Sequence, residues 1–84
     1  MINKEFLKKQ IIYRATHRGS KEMDILLGQF TKKYIKDLSI EELEALNEIM
    51  SIEDDLLHEW YFNKAINKKI DDNKVSHKLR NFKL

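Results

Sequence analysis

Hydrophobic side chains recur along this chain at intervals of three and four residues, the spacing of one face of an α-helix. The clearest amphipathic pattern is formed by Met23, Leu26, Leu27, Phe30 and Tyr34. Similar stripes precede and follow it, formed by Phe6, Leu7, Ile11 and Ala15, by Leu43, Leu46, Ile49 and Met50, and by Ile52, Leu56, Leu57 and Trp60. These four stripes predict four helices, each with one buried face.

Two helix starts can be placed from the polar residues that precede a stripe. Ser39 and Glu42 have the spacing of a capping box, and Leu38 and Leu43 have that of a hydrophobic staple. They predict that the third helix begins directly after Ser39. Ser51 is predicted to open the fourth helix, whose first turn then contains the acidic residues Glu53, Asp54 and Asp55, favoured at the positive end of the helix dipole.

The last segment has a sparser pattern that predicts a fifth helix over about residues 70–82 with a frayed C-terminus. Asp71 or Asp72 is its candidate cap, and its apolar positions are Ile66, Ile70, Val75, Leu79 and Phe82. The chain has no proline and no Asn-Gly or Asp-Gly hairpin signal, so strands have little support. We therefore expect an all-α fold, a small compact five-helix bundle that forms one domain over 1–84 with its core at about 4–62.

Composition removes several classes of function. With 84 residues, the chain has too thin a core to enclose a large active site. The absence of cysteine excludes a disulfide scaffold, a thiol nucleophile and a cysteine zinc site. No apolar stretch is long enough to span a membrane, and the N-terminal residues resemble neither a signal nor a transit peptide, so we expect a cytoplasmic protein without direct membrane insertion.

The net charge of +2 hides an uneven distribution along the chain. Residues 1–38 carry nine basic and four acidic side chains, residues 39–59 carry eight acids and no Lys or Arg, and residues 64–84 carry seven bases and two acids. The simplest interpretation is that these blocks pair or are solvated within one body. The basic C-terminal tail leaves open an alternative function, a small helical nucleic-acid-binding protein whose affinity would fall steeply with salt.

Gly19 lies between the first and second predicted helices, and its role has two interpretations. A glycine can supply a positive φ where the chain leaves one helix, with Ser20 capping the next helix and Glu22 and Asp24 in its first turn. Alternatively, Gly19 lets another protein's backbone approach closely while Arg18 and Glu22 offer a bidentate donor and a charged acceptor. The residues by themselves leave both possibilities open.

Other candidates for chemistry are weaker. His17, His58 and His77 are widely separated and lack metal-ligand spacing. Trp60 could stack against a flavin or a nucleic-acid base, but its position on an apolar stripe indicates that it is a core residue. Gly28 inside the second predicted helix makes that helix less stable than alanine would. It therefore indicates either a close crossing of two helices or a surface that contacts a partner. An enzyme would need an acid–base pair in a pocket, and the sequence offers no candidate for such a pair.

The run RGSKEMDILLGQF, followed by LSIEELEALNEIM and DDLLHEW, resembles the succinate dehydrogenase FAD assembly factor family. The family signature RGxxE is present as Arg18, Gly19 and Glu22, and the resemblance covers residues 5–62 well. His17 stands where many members have a second basic residue, which makes the charge there lower or dependent on pH. The connection after Trp60 also lacks the Gly or Pro of many members.

The resemblance implies a binding protein without enzymatic activity. Its expected partner is the flavoprotein subunit of succinate dehydrogenase, and the flavoprotein of fumarate reductase is a second candidate. The expected function is to promote the covalent attachment of FAD to the flavoprotein. The expected contact residues are Arg18, Gly19, Glu22, Asp24 and His17. FAD belongs to the partner, no cofactor is bound stably by this chain, the free protein is expected to be a monomer, and nucleic acid is not an expected partner.

Overall fold

A computed structural model describes residues 3–83, and these form five helices and no strand. The helices are α1 (Lys4–Thr16), α2 (Lys21–Tyr34), α3 (Ile40–Met50), α4 (Asp54–Phe62) and α5 (Lys74–Arg80). The all-α prediction and the number of helices are therefore confirmed. Within the described residues no helix is long and apolar enough to cross a membrane.

Polar side chains begin two of the helices as predicted. The Ser20 hydroxyl accepts a hydrogen bond from the Met23 backbone N–H at the start of α2. At α3 the Glu42 N–H donates to the Ser39 hydroxyl, and the Ser39 N–H donates to the Glu42 carboxylate at 2.9 Å, which completes the capping box. Such caps satisfy amide groups that have no partner inside the helix, and each contributes about 1 kcal/mol.

Two other predicted helix starts are wrong. Ser51 ends α3 instead of opening α4, and its hydroxyl donates to the Glu48 carbonyl at 2.6 Å. The N-cap of α4 is Glu53, which makes no side-chain cap hydrogen bond. The cap of α5 is Asn73, not Asp71 or Asp72; it forms a capping box with Ser76, and α5 spans Lys74–Arg80 instead of 70–82.

The core joins the apolar faces of all five helices. It contains Leu7, Ile11, Ala15, Met23, Leu26, Leu27, Phe30, Ile35, Leu38, Leu43, Leu46, Ile49, Met50, Ile52, Leu57, Trp60, Ile70, Val75 and Leu79. Full burial of one such large side chain contributes about 1.5–3 kcal/mol. Phe6 and Ile66 were wrongly placed in the stripes, since their exposed fractions are 64% and 93%. Phe6 is one position from Leu7, which turns it about 100° away from the buried face.

Contacts between helices set the arrangement of the bundle. α1 packs against α2 and α3, α3 packs against α5, and α2 packs against α4. After α5, Phe82 is half-buried and packs edge-on against Phe30, with ring centroids 5.5 Å apart. Tyr61 also donates a hydrogen bond to the Phe82 carbonyl. The frayed end expected from the sequence therefore does not include Phe82, and Leu84 lies outside the described residues.

Candidate functional site

Arg18 lies between α1 and α2, and its guanidinium group is directed into the protein. Only 8% of its side chain is exposed. Nε donates to Asp54 Oδ1 at 2.6 Å, Nη1 donates to the Met50 carbonyl at 2.5 Å, and Nη2 donates to the Ile52 carbonyl at 2.6 Å. One side chain thus connects the α1–α2 corner, defined here as residues 17–24, with the segment that joins α3 to α4.

The carboxylate of Asp54 completes this connection. Its Oδ1 accepts from Arg18, and its Oδ2 accepts from the Ser20 backbone N–H at 2.8 Å. Because a charged donor and a charged acceptor meet where little water reaches them, the contact is stronger than a surface ion pair. The sequence did not identify Asp54 as part of this corner, since it lies 36 positions from Arg18.

Asp24 also holds the corner from within. Its Oδ1 accepts a hydrogen bond from the Arg18 backbone N–H at 2.7 Å, and its side chain belongs to the first turn of α2. Asp24 is half-buried. Its position therefore fixes the backbone of Arg18, in addition to complementing the helix dipole.

Gly19 is exposed at the outer side of the corner, and its backbone conformation is not the one considered from the sequence. No described glycine has a positive φ. A Cβ atom built on Gly19 would lie 3.4 Å from Asp54 Oδ2, an ordinary van der Waals contact. The positive-φ interpretation of Gly19 is therefore wrong, and the surface interpretation stays a prediction.

Glu22 presents a negative charge beside Gly19. Its side chain is exposed and Oε2 accepts a hydrogen bond from the Ser20 hydroxyl at 2.9 Å. The pKa of Glu22 is lowered from its ordinary value of 4.5, first by this hydrogen bond, then by one from its own backbone N–H, and to a smaller extent by the charge of His58. The carboxylate therefore stays ionised at the surface at neutral pH.

His17 is fixed on the other flank of Gly19. Its ring stacks on Tyr13 with centroids 4.0 Å apart, and its Nδ1 lies 2.8 Å from the Tyr13 carbonyl oxygen. The Tyr13 side chain is 63% exposed. Tyr13 was not identified from the sequence, although its position four residues before His17 on one helix face was the available signal.

The corner therefore separates into an inner and an outer set of residues. The buried guanidinium of Arg18, with Asp24 and Asp54, forms the internal support. The outer surface presents His17, Gly19 and Glu22. The structure thus brings all five residues suggested by the sequence together, but it gives Arg18 and Asp24 intramolecular partners.

Trp60 and the basic tail make contacts within the protein. Trp60 is 5% exposed, and the Arg80 guanidinium lies over its ring at 5.3 Å from the centroid. In the basic tail, Lys78 similarly lies over Tyr34 and Lys64 over Tyr61. Among residues 3–83 no group of three or more His, Asp or Glu side chains is arranged to hold a metal ion.

Gly28 does not permit a close helix crossing, contrary to one of the two interpretations of its place in α2. A Cβ atom at this position would have no heavy atom within 4 Å. The helix surface at Gly28 is therefore open, which leaves the other interpretation, a surface available to a partner.

Comparison with known proteins gives a consistent assignment. The family model described as flavinator of succinate dehydrogenase matches residues 9–83. The chain is 27% identical over 79 residues to the FAD assembly factor SdhE of Coxiella burnetii, covering 94% of this chain and 95% of that protein. It is 31% identical over 72 residues to the mitochondrial succinate dehydrogenase assembly factor 2 of Lodderomyces elongisporus, covering 81% of this chain.

The chain spans 44% of the length of that yeast relative and 52% of the FAD assembly factor SdhE of Acetobacter pasteurianus, to which it is 33% identical over 57 residues. No solved structure matches this chain. The family match covers most of the chain, including the α1–α2 corner and all helices after it. This chain therefore belongs to the family of the flavinator of succinate dehydrogenase.

Proposed function

We propose that this chain binds the flavoprotein subunit of succinate dehydrogenase and promotes covalent attachment of FAD to that subunit. Membership of the flavinator family supports the proposal. The observation that carries it at the level of residues is the exposed, side-chain-free surface of Gly19 beside the ionised Glu22, on a corner supported from within by Arg18.

The geometry of the corner suits recognition of a rigid protein surface. Because Gly19 has no side chain, a partner's backbone can approach the turn closely. Glu22 then accepts hydrogen bonds from an Arg or Lys of the partner, and its fixed position lowers the entropy lost on binding. His17 adds a further partner contact on the other flank of Gly19.

We assign Arg18 and Asp24 to the same function through their effect on the corner. Asp24 accepts from the Arg18 backbone N–H before Gly19. The Arg18 guanidinium holds Asp54, which accepts from the Ser20 backbone N–H after Gly19. These two residues therefore act chiefly by preorganising the contact surface, which raises affinity without a direct contact.

The action on the flavin is conformational, not catalytic, in this proposal. FAD and the flavoprotein carry the bond-forming chemistry, and this chain contributes no reacting group and holds no cofactor of its own. Binding to the flavoprotein state in which the attachment residue and the flavin are aligned raises the population of that state. The shift is limited by the difference in affinity for the aligned and unaligned states.

The flavoprotein of fumarate reductase is a second partner of the same kind. We also propose that the free protein is monomeric and acts in the cytoplasm.

The test mixes the purified chain with unflavinylated succinate dehydrogenase flavoprotein and FAD. Covalent flavin is followed over time as fluorescence in a denaturing gel, and the complex is sought on a sizing column. We expect faster labelling with the chain than without it. Glu22→Ala should slow labelling about tenfold or more, the effect of losing a charged hydrogen bond at an interface.

The matched control is Glu44→Ala, which removes an exposed carboxylate of α3 away from the corner and should label like the parent. Unchanged labelling with the parent chain, together with no complex on the column, contradicts the proposed function. Equal loss in both Glu variants contradicts the assignment of the corner as the contact. The nucleic-acid alternative predicts instead salt-sensitive binding to an oligonucleotide, lost when Lys68 and Lys69 of the tail are replaced by Glu.

A further inference from the structure

Gly28 opens a groove between α1 and α2 on a part of the surface that the α1–α2 corner does not include. Glycine has a lower helix propensity than alanine, and a Cβ atom here would meet no neighbour within 4 Å. Neither local backbone conformation nor helix packing thus requires a glycine. What the missing side chain does provide is depth for the groove, which has a volume of about 510 Å³.

The walls of this Gly28 groove are mainly apolar. α1 contributes Ile12 and Ala15, and the end of α2 with the residue that follows it contributes Thr31 and Ile35. Ile12 is 46% exposed. An exposed isoleucine that faces an open groove favours an apolar ligand group, because burial of that surface is favourable.

Thr31 forms part of the groove wall, although it is a buried residue. It is 2% exposed, and its hydroxyl oxygen is buried and has no hydrogen-bond partner among the described residues. Buried hydroxyl groups in folded proteins nearly always have a partner. Because this oxygen is not open to the groove, the recognition of a ligand there depends on the apolar wall and the charged residues.

The charged residues of the groove are all cationic. Lys32 and Lys36 line it, one helical turn apart, and none of its lining residues between positions 3 and 83 is acidic. Two ammonium groups beside an apolar groove are complementary to an apolar side chain that is accompanied by a carboxylate. They disfavour a basic segment for the same reason.

We propose that the Gly28 groove is a second docking surface for the flavoprotein subunit and receives an apolar side chain from a segment that also carries a carboxylate. This inference rests on the proposed function. Thr16 lines the groove, and its hydroxyl lies 3.1 Å from Nδ1 of His17 in the α1–α2 corner. The groove therefore adjoins the corner, and one protein partner can cover both surfaces.

The experiment measures the dissociation constant of the complex with unflavinylated succinate dehydrogenase flavoprotein for two groove variants. Gly28→Leu fills the groove from its floor, and Lys32→Glu with Lys36→Glu reverses its charge. Each should weaken binding about tenfold or more. Gln29→Leu adds the same leucine at an exposed neighbouring position of α2 and lies outside the groove, so it should bind like the parent. Lys68→Glu with Lys69→Glu is the matched control for the charge reversal.

Thermal unfolding of Gly28→Leu separates a blocked groove from a damaged fold. Leucine has a higher helix propensity than glycine and the site has open space, so the melting temperature should equal or exceed that of the parent. Weaker binding by a variant of unchanged stability supports the proposal. If Gly28→Leu melts well below the parent, the groove is not open space, and the proposal fails on that measurement.

The remaining outcomes distinguish this proposal from the proposed function. If Glu22→Ala weakens the complex while both groove variants bind like the parent, the groove is not a docking surface, and the proposed function stands. If the parent chain forms no complex at all, both fail. If the free chain dimerises in sedimentation and Gly28→Leu abolishes the dimer without changing flavoprotein binding, the occupant is a second copy, and the flavoprotein segment is excluded.

Discussion

Replacement of Arg18 by methionine provides a sharp test of the structural account of the α1–α2 corner. The substitution keeps an unbranched side chain of similar length but removes the charge and all guanidinium donors. It leaves the Asp54 carboxylate without its cation. Because the side chain of Asp54 is only 19% exposed, water cannot fully replace that cation. It also leaves the carbonyl groups of Met50 and Ile52 without these donors.

The expected loss of stability is large for a single substitution. Removal of one partner from a buried ion pair costs about 3–5 kcal/mol. Since Asp54 retains some contact with solvent and the Ser20 N–H still donates to it, we expect the lower end, about 3 kcal/mol. For a domain of this size that corresponds to a decrease in melting temperature of roughly 12 °C or more.

The assay is urea unfolding followed by circular dichroism, combined with a double-mutant cycle. Asp54→Asn removes the charge of the acceptor, and Arg18→Met should cost about 2 kcal/mol less in that background, because the two substitutions remove the same contact. Arg18→Lys should recover only part of the lost stability, since one ammonium cannot reproduce the planar fork.

A small effect would refute this reasoning. Ordinary surface substitutions change the free energy of unfolding by about 0.5 kcal/mol or less. If the free energy of unfolding of Arg18→Met lies within that range of the parent value, the guanidinium does not hold the corner. Loss of flavoprotein binding at unchanged stability would then indicate that Arg18 is a direct contact residue.

Three further predictions concern single side chains. Gly19→Arg should keep the melting temperature within a few degrees of the parent, because the position is exposed and has a negative or extended φ, yet it should abolish the complex on a sizing column. Thr31→Val should raise the free energy of unfolding by about 1 kcal/mol in chemical denaturation, by removing a buried hydroxyl without a partner; a decrease would show that the hydroxyl is satisfied. The pKa of Glu42 is lowered from 4.5, chiefly by the hydrogen bond from the Ser39 backbone N–H. The ionised Glu42 therefore stabilises the fold above pH 4.5, and this stabilisation is lost as the pH falls through the lowered pKa of the folded protein. Glu42→Gln should therefore lose stability less steeply than the parent below that pH, and equal slopes in acid denaturation would contradict this.

Local patterns in the sequence predicted the helices better than their ends. The stripes of α2 and α3 are buried as predicted, apart from the half-buried Tyr34, because the helical repeat places residues three and four apart on one face. The Ser39–Glu42 capping box was recognised because both of its hydrogen bonds are local. The cap at Asn73 was missed, since Ser76 takes the place normally held by Glu or Gln.

Positions outside the regular stripes were predicted less well. Ile66 has a suitable spacing from Ile70 but precedes α5 and faces solvent. Ile70 also precedes α5 but is buried, so the hydrophobic pattern does not distinguish these two isoleucines, and only the packing of the segment does. Phe82, in contrast, is held after the end of α5 by the aromatic rings of Phe30 and Tyr34.

The sequence by itself determined the helical class and the RGxxE signature, because both depend on residues close together along the chain. It also placed Gly19 and Glu22 at a corner between two helices. Only the tertiary structure decided that Arg18 is turned inward, since its acceptors lie more than thirty positions away and are mainly backbone carbonyls, which no side-chain pattern reveals. The same holds for the Gly28 groove: a glycine in a helix is visible in the sequence, but whether a neighbour fills the space beside it depends on how α1 and α2 pack.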